Sequence, residues 1–274
     1  MSKKIKIISE VGINHNGSLE IAKKLIQLSS IAGFDYVKFQ KRTPDICVPE
    51  HQKETKRPTP WGEMTYIDYK HKVEFNEYEY LEIDRECKKN DIKWFASAWD
   101  MESAKFLKMF VDIVKIPSAL ITDHELLLYC RNNFSERLMS TGMSTEEEIE
   151  IAVEILDPTC IMHANSTYPS RPDELNLNYI NWLQRKYPDK EIGYSGHEFG
   201  LVTTLATVAI GVDWIERHVT LDRKMWGSDQ LSSVEPEGMF KLIRGIRDIE
   251  SAMGKQEKRS VYESEKSKRD SLRK

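Results

Sequence analysis

Eight short β-rich runs alternate with amphipathic helical patterns along the 274-residue chain. The runs cover residues 5–11, 36–40, 93–97, 113–116, 137–140, 160–164, 191–195 and 214–218. Strict alternation predicts a parallel sheet covered by helices, and eight units within this length predict closure into a barrel. An open doubly wound sheet is the competing fold, but it usually carries a G-x-G-x-x-G first turn, which this sequence lacks. The predicted fold class is therefore α/β, a (β/α)8 TIM barrel.

Two regions depart from the alternation and define the predicted domain organisation. The barrel is expected to span residues 1–255, with a long loop insertion at about 41–77 that contains Trp61, Tyr66 and Tyr69. Long loops in compact domains are commonly functional lids, so this insertion is expected to cover the site. Residues 256–274 are densely charged and are expected to form a C-terminal tail, either a frayed end or a docking segment.

The charge and cysteine content restrict the classes of partner. The 44 acidic residues slightly outnumber the 40 basic ones, so no overall basic field favours nucleic acid, and a small-molecule partner is expected. The sequence begins without the apolar stretch of a signal peptide and has no apolar run of about 18 residues, so no membrane association is predicted. Four scattered cysteines, without a C-x-x-C pair, predict reduced thiols in a cytoplasmic protein.

Polar side chains occur at the end of every predicted strand, where a barrel of this type places its active site. They are Glu10, Lys38, Gln40, Ser97, Lys115, Ser118, Ser140, Ser166, Tyr168, Ser195, His197, Glu216 and His218. Residues two positions apart in a strand point to the same side, as in the pair Lys38 and Gln40 and the pair Glu216 and His218. A single strand-end serine or histidine is weak evidence, but their convergence on all eight strands predicts a site.

These residue types favour a particular chemistry. Lys38 and Lys115, together with hydroxyl groups, form a receptor for a small molecule that carries both phosphate and carboxylate. His197 and His218, on neighbouring strands, are suited to hold one divalent metal with positions left open for substrate. Glu10 and Asp229 are suited to orient water or sugar hydroxyls, or to transfer protons.

The strand-end segments resemble the sialic acid synthase family, whose members make N-acetylneuraminate and related nonulosonates. The resemblance extends from residue 8 to about residue 254. Its motifs are EVGINHNG at 10–17, VKFQ at 37–40, KIPS at 115–118, STGM at 140–143, YP at 168–169, IGYSGH at 192–197, ERHVT at 216–220 and GSD at 227–229. So many ordered motifs, each at a strand end, make the resemblance specific.

The resemblance implies a transferase that condenses phosphoenolpyruvate with an amino-sugar aldehyde, N-acetylmannosamine or a related sugar. The residues implied to bind phosphoenolpyruvate are Lys38, Lys115, Ser118, Ser140, Ser166 and Ser195. Ser97 belongs to the same set of strand-end residues and is expected to contact substrate. The resemblance implies Mn²⁺, with Mg²⁺ or Co²⁺ as alternatives, on His197 and His218. Gln40, Tyr168 and Asp229 are expected to contact the acceptor sugar, and Glu10 is expected near the reacting carbon and a metal-bound water.

By the same resemblance, C3 of phosphoenolpyruvate attacks the metal-polarised aldehyde, water adds at C2, and phosphate leaves. The chain departs from the family pattern at Ala119-Leu120, where Gly-Glu is common, and at Ala98, where threonine is common. It is also expected to represent the barrel alone, either as a barrel-only branch of the family or as a truncated sequence, without the C-terminal antifreeze-like domain that lends an arginine to the partner subunit's acceptor site. The acceptor therefore stays open, and a homodimer is the expected assembly.

Three other functions are compatible with the residues. A 3-deoxy-octulosonate-phosphate type of synthase would keep the reaction but use a phosphorylated sugar acceptor. A Schiff-base aldolase would use Lys38 or Lys115 as its nucleophile. A binding or scaffold protein would retain the barrel without catalysis, although the intact lysines and histidines argue against this function.

Overall fold

The computed structural model describes residues 4–254 and 258–273, and its eight parallel strands close into a barrel. The barrel strands are β1 (Lys6–Gly12), β2 (Tyr36–Lys41), β5 (Lys93–Ala98), β6 (Ile113–Ile116), β7 (Glu136–Ser140), β8 (Cys160–Ala164), β9 (Glu191–Gly196) and β10 (Trp214–His218). Strands β3 (Lys56–Thr59) and β4 (Gly62–Thr65) form a separate antiparallel hairpin. Strand β1 pairs with both β2 and β10, which closes the sheet. The predicted (β/α)8 barrel is confirmed.

The helices cover the sheet between barrel strands, lie in the insertion after β2, or form part of the C-terminal tail. They are α1 (Leu19–Ala32), α2 (Pro44–Cys47), α3 (Glu50–Lys53), α4 (Tyr66–Val73), α5 (Glu77–Lys89), α6 (Met101–Lys108), α7 (His124–Asn133), α8 (Glu146–Leu156), α9 (Asn178–Lys186), α10 (Val202–Ile210), α11 (Pro236–Met253) and α12 (Glu263–Leu272). Local chemistry sets their ends, as in α1, which begins after the N-cap Ser18 and ends at Gly33 with a φ of 96°.

The interior of the barrel has an apolar layer below a polar one. The buried apolar layer consists of Ile8, Tyr36, Phe95, Leu138, Cys160, Met162 and Trp214. Ile8 precedes Glu10 by two residues and Trp214 precedes Glu216 by two, so strand alternation points both layers inward. The apolar side chains fill the barrel toward its amino-terminal end, and the polar side chains occupy its carboxyl end.

The insertion after β2 has more structure than the predicted loop. It contains α2, α3, the β3–β4 hairpin and α4. Lys41 Nζ lies 2.8 Å from Glu74 Oε1, and this oxygen also accepts a hydrogen bond from the Arg42 amide at 3.1 Å. The Tyr69 ring packs edge-on against Trp226, with centroids 4.8 Å apart. The contacts of Glu74 tie the two ends of the insertion together, and the Tyr69–Trp226 contact holds the insertion against the loop that follows β10.

The predicted boundary between residues 255 and 256 lies outside the described residues. Residues 263–272 of the predicted tail form α12, which the sequence analysis did not anticipate, and none of its side chains is buried. No helix in 4–254 or 258–273 is long and apolar enough to cross a membrane. The four cysteines are free thiols.

Candidate active site

The predicted site residues converge on one cavity of about 150 Å³ at the carboxyl end of the barrel. Its lining includes every predicted site residue except Asp229, together with Trp99, Pro117, Ala119, Met143 and Glu216. Larger hollows lie elsewhere, among them one of about 680 Å³ at the amino-terminal ends of the strands and one of about 760 Å³ beside the β7 and β8 loops. The smaller cavity is the one where the buried lysines, carboxylates and histidines meet, so we take it as the candidate active site.

Two buried ion pairs form the floor of this cavity. Lys38 and Lys115 are only 2% and 3% exposed. Lys38 Nζ lies 2.8 Å from Glu10 Oε2 and donates to Ser97 Oγ at 2.9 Å. Lys115 Nζ donates to Glu216 Oε1 at 2.8 Å, and the Ser195 hydroxyl donates to the same oxygen at 3.0 Å. Glu216 Oε2 also lies 3.7 Å from Lys38 Nζ, so the four charges form one network.

The two carboxylates of this network have different protonation behaviour. Burial raises the pKa of Glu10 to about 7, helped by the charge of Glu216 and opposed by Lys38. Burial also acts to raise the pKa of Glu216, but the two lysine charges outweigh it and lower this pKa to about 2. Glu216 is therefore a permanent counter-ion, whereas Glu10 can exchange a proton near neutral pH.

Serine hydroxyls line the wall of the cavity between β6 and β8. The amide of Gly142 donates to Ser118 Oγ at 3.0 Å. A Cβ atom on Gly142 would lie 2.2 Å from Ser166 Oγ and 2.9 Å from Ser118 Oγ, so the glycine allows both hydroxyls to approach. The Ser140 hydroxyl is buried and has no hydrogen-bond partner within the described residues. These groups are suited to contact the oxygens of an anion.

Strands β9 and β10 bring His197 and His218 together, with ring centroids 5.4 Å apart. His197 Nδ1 lies 2.5 Å from the Asn165 carbonyl oxygen. Because a carbonyl oxygen only accepts hydrogen bonds, Nδ1 carries the ring proton. Nε2 is therefore unprotonated, and it lies 3.0 Å from the Tyr168 hydroxyl oxygen. Burial lowers the pKa of His197 to about 3 and that of His218 to about 4, so both rings are neutral at pH 7.

The structure places Asp229 beside the cavity instead of in its lining. Its Oδ2 lies 3.8 Å from His218 Nδ1. Within residues 4–254 and 258–273, no three or more histidine, cysteine or acidic side chains are grouped so that they could hold a metal ion. The predicted metal site, which uses two histidines, stays a prediction.

Sequence reasoning placed Glu216 at a strand end but gave it no role in the site. The structure shows that it holds Lys115 and also lies near Lys38. Its position two residues before His218 was the available signal, because that spacing turns both side chains into the barrel. Trp99 was also missed, and it lines the cavity next to Gln40 and Ser97.

Comparison with known proteins identifies the family. The chain matches the NeuB family over residues 25–258. It belongs to this family. The chain is 34% identical to human N-acetylneuraminate-9-phosphate synthase over 257 residues, which cover 90% of this chain and 71% of that protein. It is also 34% identical to N,N'-diacetyllegionaminic acid synthase of Campylobacter jejuni over 262 residues, which cover 92% of this chain and 78% of that protein.

Solved structures agree with this assignment. N-acetylneuraminic acid (sialic acid) synthetase from Leptospira borgpetersenii, in complex with citrate, matches with a TM-score of 0.86 at 30% identity, covering 98% of this chain and 93% of that one. A truncated 3-deoxy-D-arabino-heptulosonate 7-phosphate synthase from Thermotoga maritima, 15% identical with a TM-score of 0.70, shares the fold. The predicted resemblance to sialic acid synthases, and the prediction of an enzyme of that type, are confirmed.

Proposed function

We propose that this NeuB-family enzyme condenses phosphoenolpyruvate with the open-chain aldehyde of an N-acylated amino sugar, giving a nonulosonate and phosphate. The observation that carries the proposal is the convergence of Lys38 and Lys115 with buried hydroxyls and two neutral imidazoles in one cavity. The named relatives, which make N-acetylneuraminate 9-phosphate and N,N'-diacetyllegionaminate, support an amino-sugar acceptor. The family match favours neither the octulosonate-phosphate reaction nor the Schiff-base aldolase.

The donor binds at the floor of the cavity in this proposal. Lys38 and Lys115 supply two positive charges, and the Ser140 hydroxyl supplies a buried donor that has no other partner among the described residues. Phosphoenolpyruvate offers phosphate and carboxylate oxygens to these groups. The two lysines are already paired with carboxylates, which keeps them positioned before the donor arrives.

Glu10 accepts and donates a proton during the reaction in this proposal. A trianionic donor beside Glu10 raises its pKa further, because like charges disfavour the ionised carboxylate. The C3–aldehyde bond forms, water adds at C2, and the C2–O bond to phosphate breaks. Addition of water releases a proton, and formation of the sugar hydroxyl takes one up. A carboxyl whose pKa is near 7 in the free enzyme is suited to this exchange.

His197 and His218 are proposed to hold a divalent cation, Mn²⁺ first, with Mg²⁺ or Co²⁺ as alternatives. The donor set fits: both imidazoles are neutral, the His197 tautomer leaves Nε2 unprotonated, and His218 Nδ1 has no hydrogen bond within the described residues. Such an ion, when bound, would polarise the aldehyde oxygen of the acceptor. Tyr168 and Gln40 border the same cavity and are proposed to position the sugar.

A phosphate-release assay tests the proposal. Enzyme, phosphoenolpyruvate and Mn²⁺ are incubated with N-acetylmannosamine, N-acetylmannosamine 6-phosphate or arabinose 5-phosphate, and a nonulosonate is identified by mass. Release with an N-acylamino sugar and its loss on treatment with EDTA are expected. Turnover of arabinose 5-phosphate alone would refute the amino-sugar acceptor, and borohydride trapping of a pyruvate adduct would favour the aldolase. Full activity in the presence of EDTA would refute the requirement for a divalent metal ion.

A further inference from the structure

A buried ion pair lies behind the two strands that bring His197 and His218 into the cavity. Arg217 Nη1 lies 3.3 Å from Glu198 Oε1, and both side chains are only 1% exposed. Glu198 directly follows His197 in the chain, and Arg217 directly precedes His218. Because neighbouring side chains of an extended chain lie on opposite faces, the ion pair lies outside the barrel while the imidazoles lie inside it. The proposed mechanism gives this pair no role.

The Glu198 carboxylate links β9 to helix α10. Its Oε2 accepts a hydrogen bond from the Tyr194 hydroxyl at 2.9 Å, and its Oε1 accepts from Thr203 at 3.0 Å and also from Thr204. Tyr194 lies in β9, and both threonines lie in the first turn of α10. The chain on either side of His197 is therefore held from outside the barrel.

The Arg217 guanidinium links the two loops that follow these strands. Nη1 donates to the Gly200 carbonyl oxygen at 2.8 Å and to Thr204 Oγ1 at 2.7 Å. Nη2 donates to the carbonyl oxygens of Glu198, at 2.6 Å, and of Ser232, at 3.3 Å. Gly200 belongs to the loop after β9, and Ser232 belongs to the loop after β10. One side chain therefore fixes the segments that follow both strands relative to each other.

Stability alone does not account for this arrangement. The free energy of removing two charges from water offsets much of their attraction, so a buried ion pair is weak evidence for stabilisation. Arg217 Nε is also buried without a partner within the described residues, and such a donor lowers stability. The packing further requires a glycine, because a Cβ on Gly196 would lie 2.6 Å from Glu198 Oε2 and 2.9 Å from Arg217 Cδ. What the network does supply is a fixed geometry.

The separation of the two imidazoles depends on these strand ends. Their ring centroids are 5.4 Å apart, and both rings line the cavity. Two imidazoles can share one cation only when a nitrogen of each lies roughly 2 Å from it. A site of this kind has to be held to within about 0.5 Å, so the spacing of the strand ends has to be fixed.

We propose that Glu198 and Arg217 are positioning residues for His197 and His218, and that they fix the separation of the two imidazoles from outside the barrel. They act through the backbone, because neither side chain lines the cavity. This inference rests on the proposed function, since it concerns the two histidines that would hold the divalent cation.

Three variants test this role. Arg217→Lys keeps the charge beside Glu198 but lacks the planar fork that reaches both loops. Arg217→Met/Glu198→Gln removes both charges, and the glutamine oxygen can still accept hydrogen bonds from α10, so no unpaired charge is left buried. Arg247→Met is the matched control, because Arg247 donates to the Ile5 carbonyl oxygen at 2.9 Å at the amino-terminal end of the barrel, away from the histidines.

Two measurements report the geometry of the imidazoles. Mn²⁺ titration followed by electron paramagnetic resonance should give a Kd at least about tenfold weaker in Arg217→Lys and in the double variant than in wild type. In the metal-free enzyme labelled with ¹⁵N-histidine, NMR should show wild-type His197 as one neutral tautomer with its proton on Nδ1, and an averaged signal in both variants. Arg247→Met should lose stability in urea but keep the wild-type Mn²⁺ affinity and histidine spectrum.

Wild-type Mn²⁺ affinity and an unchanged His197 signal in Arg217→Lys and the double variant would overturn the proposal, and so would equal changes in Arg247→Met. If the double variant does not fold, Arg217→Lys decides the question, because it leaves the charge of Glu198 paired. If the wild type binds no Mn²⁺, the metal role in the proposed function fails. The histidine spectrum of the metal-free enzyme then decides the positioning role separately: an averaged His197 signal in the variants supports it, and an unchanged signal overturns it.

Discussion

Replacing Lys115 by methionine removes one partner of a buried ion pair and one of the two proposed donor-binding amines. Glu216 would then keep only Lys38, 3.7 Å away, and the Ser195 hydroxyl. Breaking a buried pair in this way typically destabilises a protein by about 3–5 kcal/mol, because a desolvated charge is left behind. We expect Lys115→Met to lower the free energy of unfolding by roughly this amount, reduced somewhat by Lys38.

The double variant Lys115→Met/Glu216→Gln separates stability from function. It removes both charges, and the glutamine oxygen can still accept from Ser195, so most of the lost stability should return. Activity should not return, because phosphoenolpyruvate would still lack the ammonium group of Lys115 and would keep only that of Lys38. A hydrogen bond to a charged group contributes about 1.5–3 kcal/mol, which predicts at least a tenfold fall in kcat/KM for phosphoenolpyruvate in both variants.

Urea denaturation measures the first quantity and phosphate release the second. The exposed pair Lys56–Glu63 provides the control, since Lys56→Met should change the free energy of unfolding by no more than about 0.5 kcal/mol. Recovery of activity together with stability in the double variant would refute the reasoning. Lys115 would then be a structural counter-ion of Glu216 and not a ligand of the donor.

Three further predictions address the acid, the serine wall and the histidines. Because burial raises the pKa of Glu10 from 4.5 to about 7, the native state holds a proton that the unfolded chain has released, so the free energy of unfolding falls as pH rises through this window. The Tm of Glu10→Gln relative to wild type should therefore increase from pH 5 to pH 8, and a constant difference would contradict the assigned protonation. Gly142→Ala places a Cβ 2.2 Å from Ser166 Oγ and should raise KM for phosphoenolpyruvate about tenfold or more. An unchanged KM would mean that the serine hydroxyls beside Gly142 do not bind phosphoenolpyruvate. His218→Ala should abolish turnover and Mn²⁺ binding, read by electron paramagnetic resonance, while circular dichroism shows a folded barrel; wild-type turnover in this variant would exclude the metal role.

Strand alternation made much of this site predictable. Polar residues two positions apart in one strand, such as Lys38 with Gln40 and Ser195 with His197, lie on the inner face of the barrel as expected. The ring of strand-end residues could be derived because a closed parallel barrel gathers those ends at one face. The face of a strand on which a side chain lies follows from the sequence of that strand alone, which is why this part of the prediction succeeded.

Contacts between strands were not predictable in the same way. The register that places Glu216 beside Ser195 depends on how β9 and β10 pair, and the sequence of either strand alone does not fix it. The cap of α8 shows the limit at short range. The sequence Ser-Thr-Glu-Glu at residues 144–147 is typical of a capping box, but the structure forms the box one residue later, with Thr145 and Glu148, while the Ser144 hydroxyl donates to the Gly142 carbonyl oxygen.

The apolar layer that fills the barrel below Glu10 and Glu216 makes the site a blind-ended chamber. Reactants and products must then share one opening, at the end where Tyr168 is 44% exposed. A molecule seated on Lys38 and Lys115 is covered once a sugar occupies the space beside Gln40 and Tyr168. Under the proposed function, this shape predicts an ordered mechanism: phosphoenolpyruvate binds first and the sugar second, and phosphate formed at the bottom leaves only after the new sugar acid has moved away.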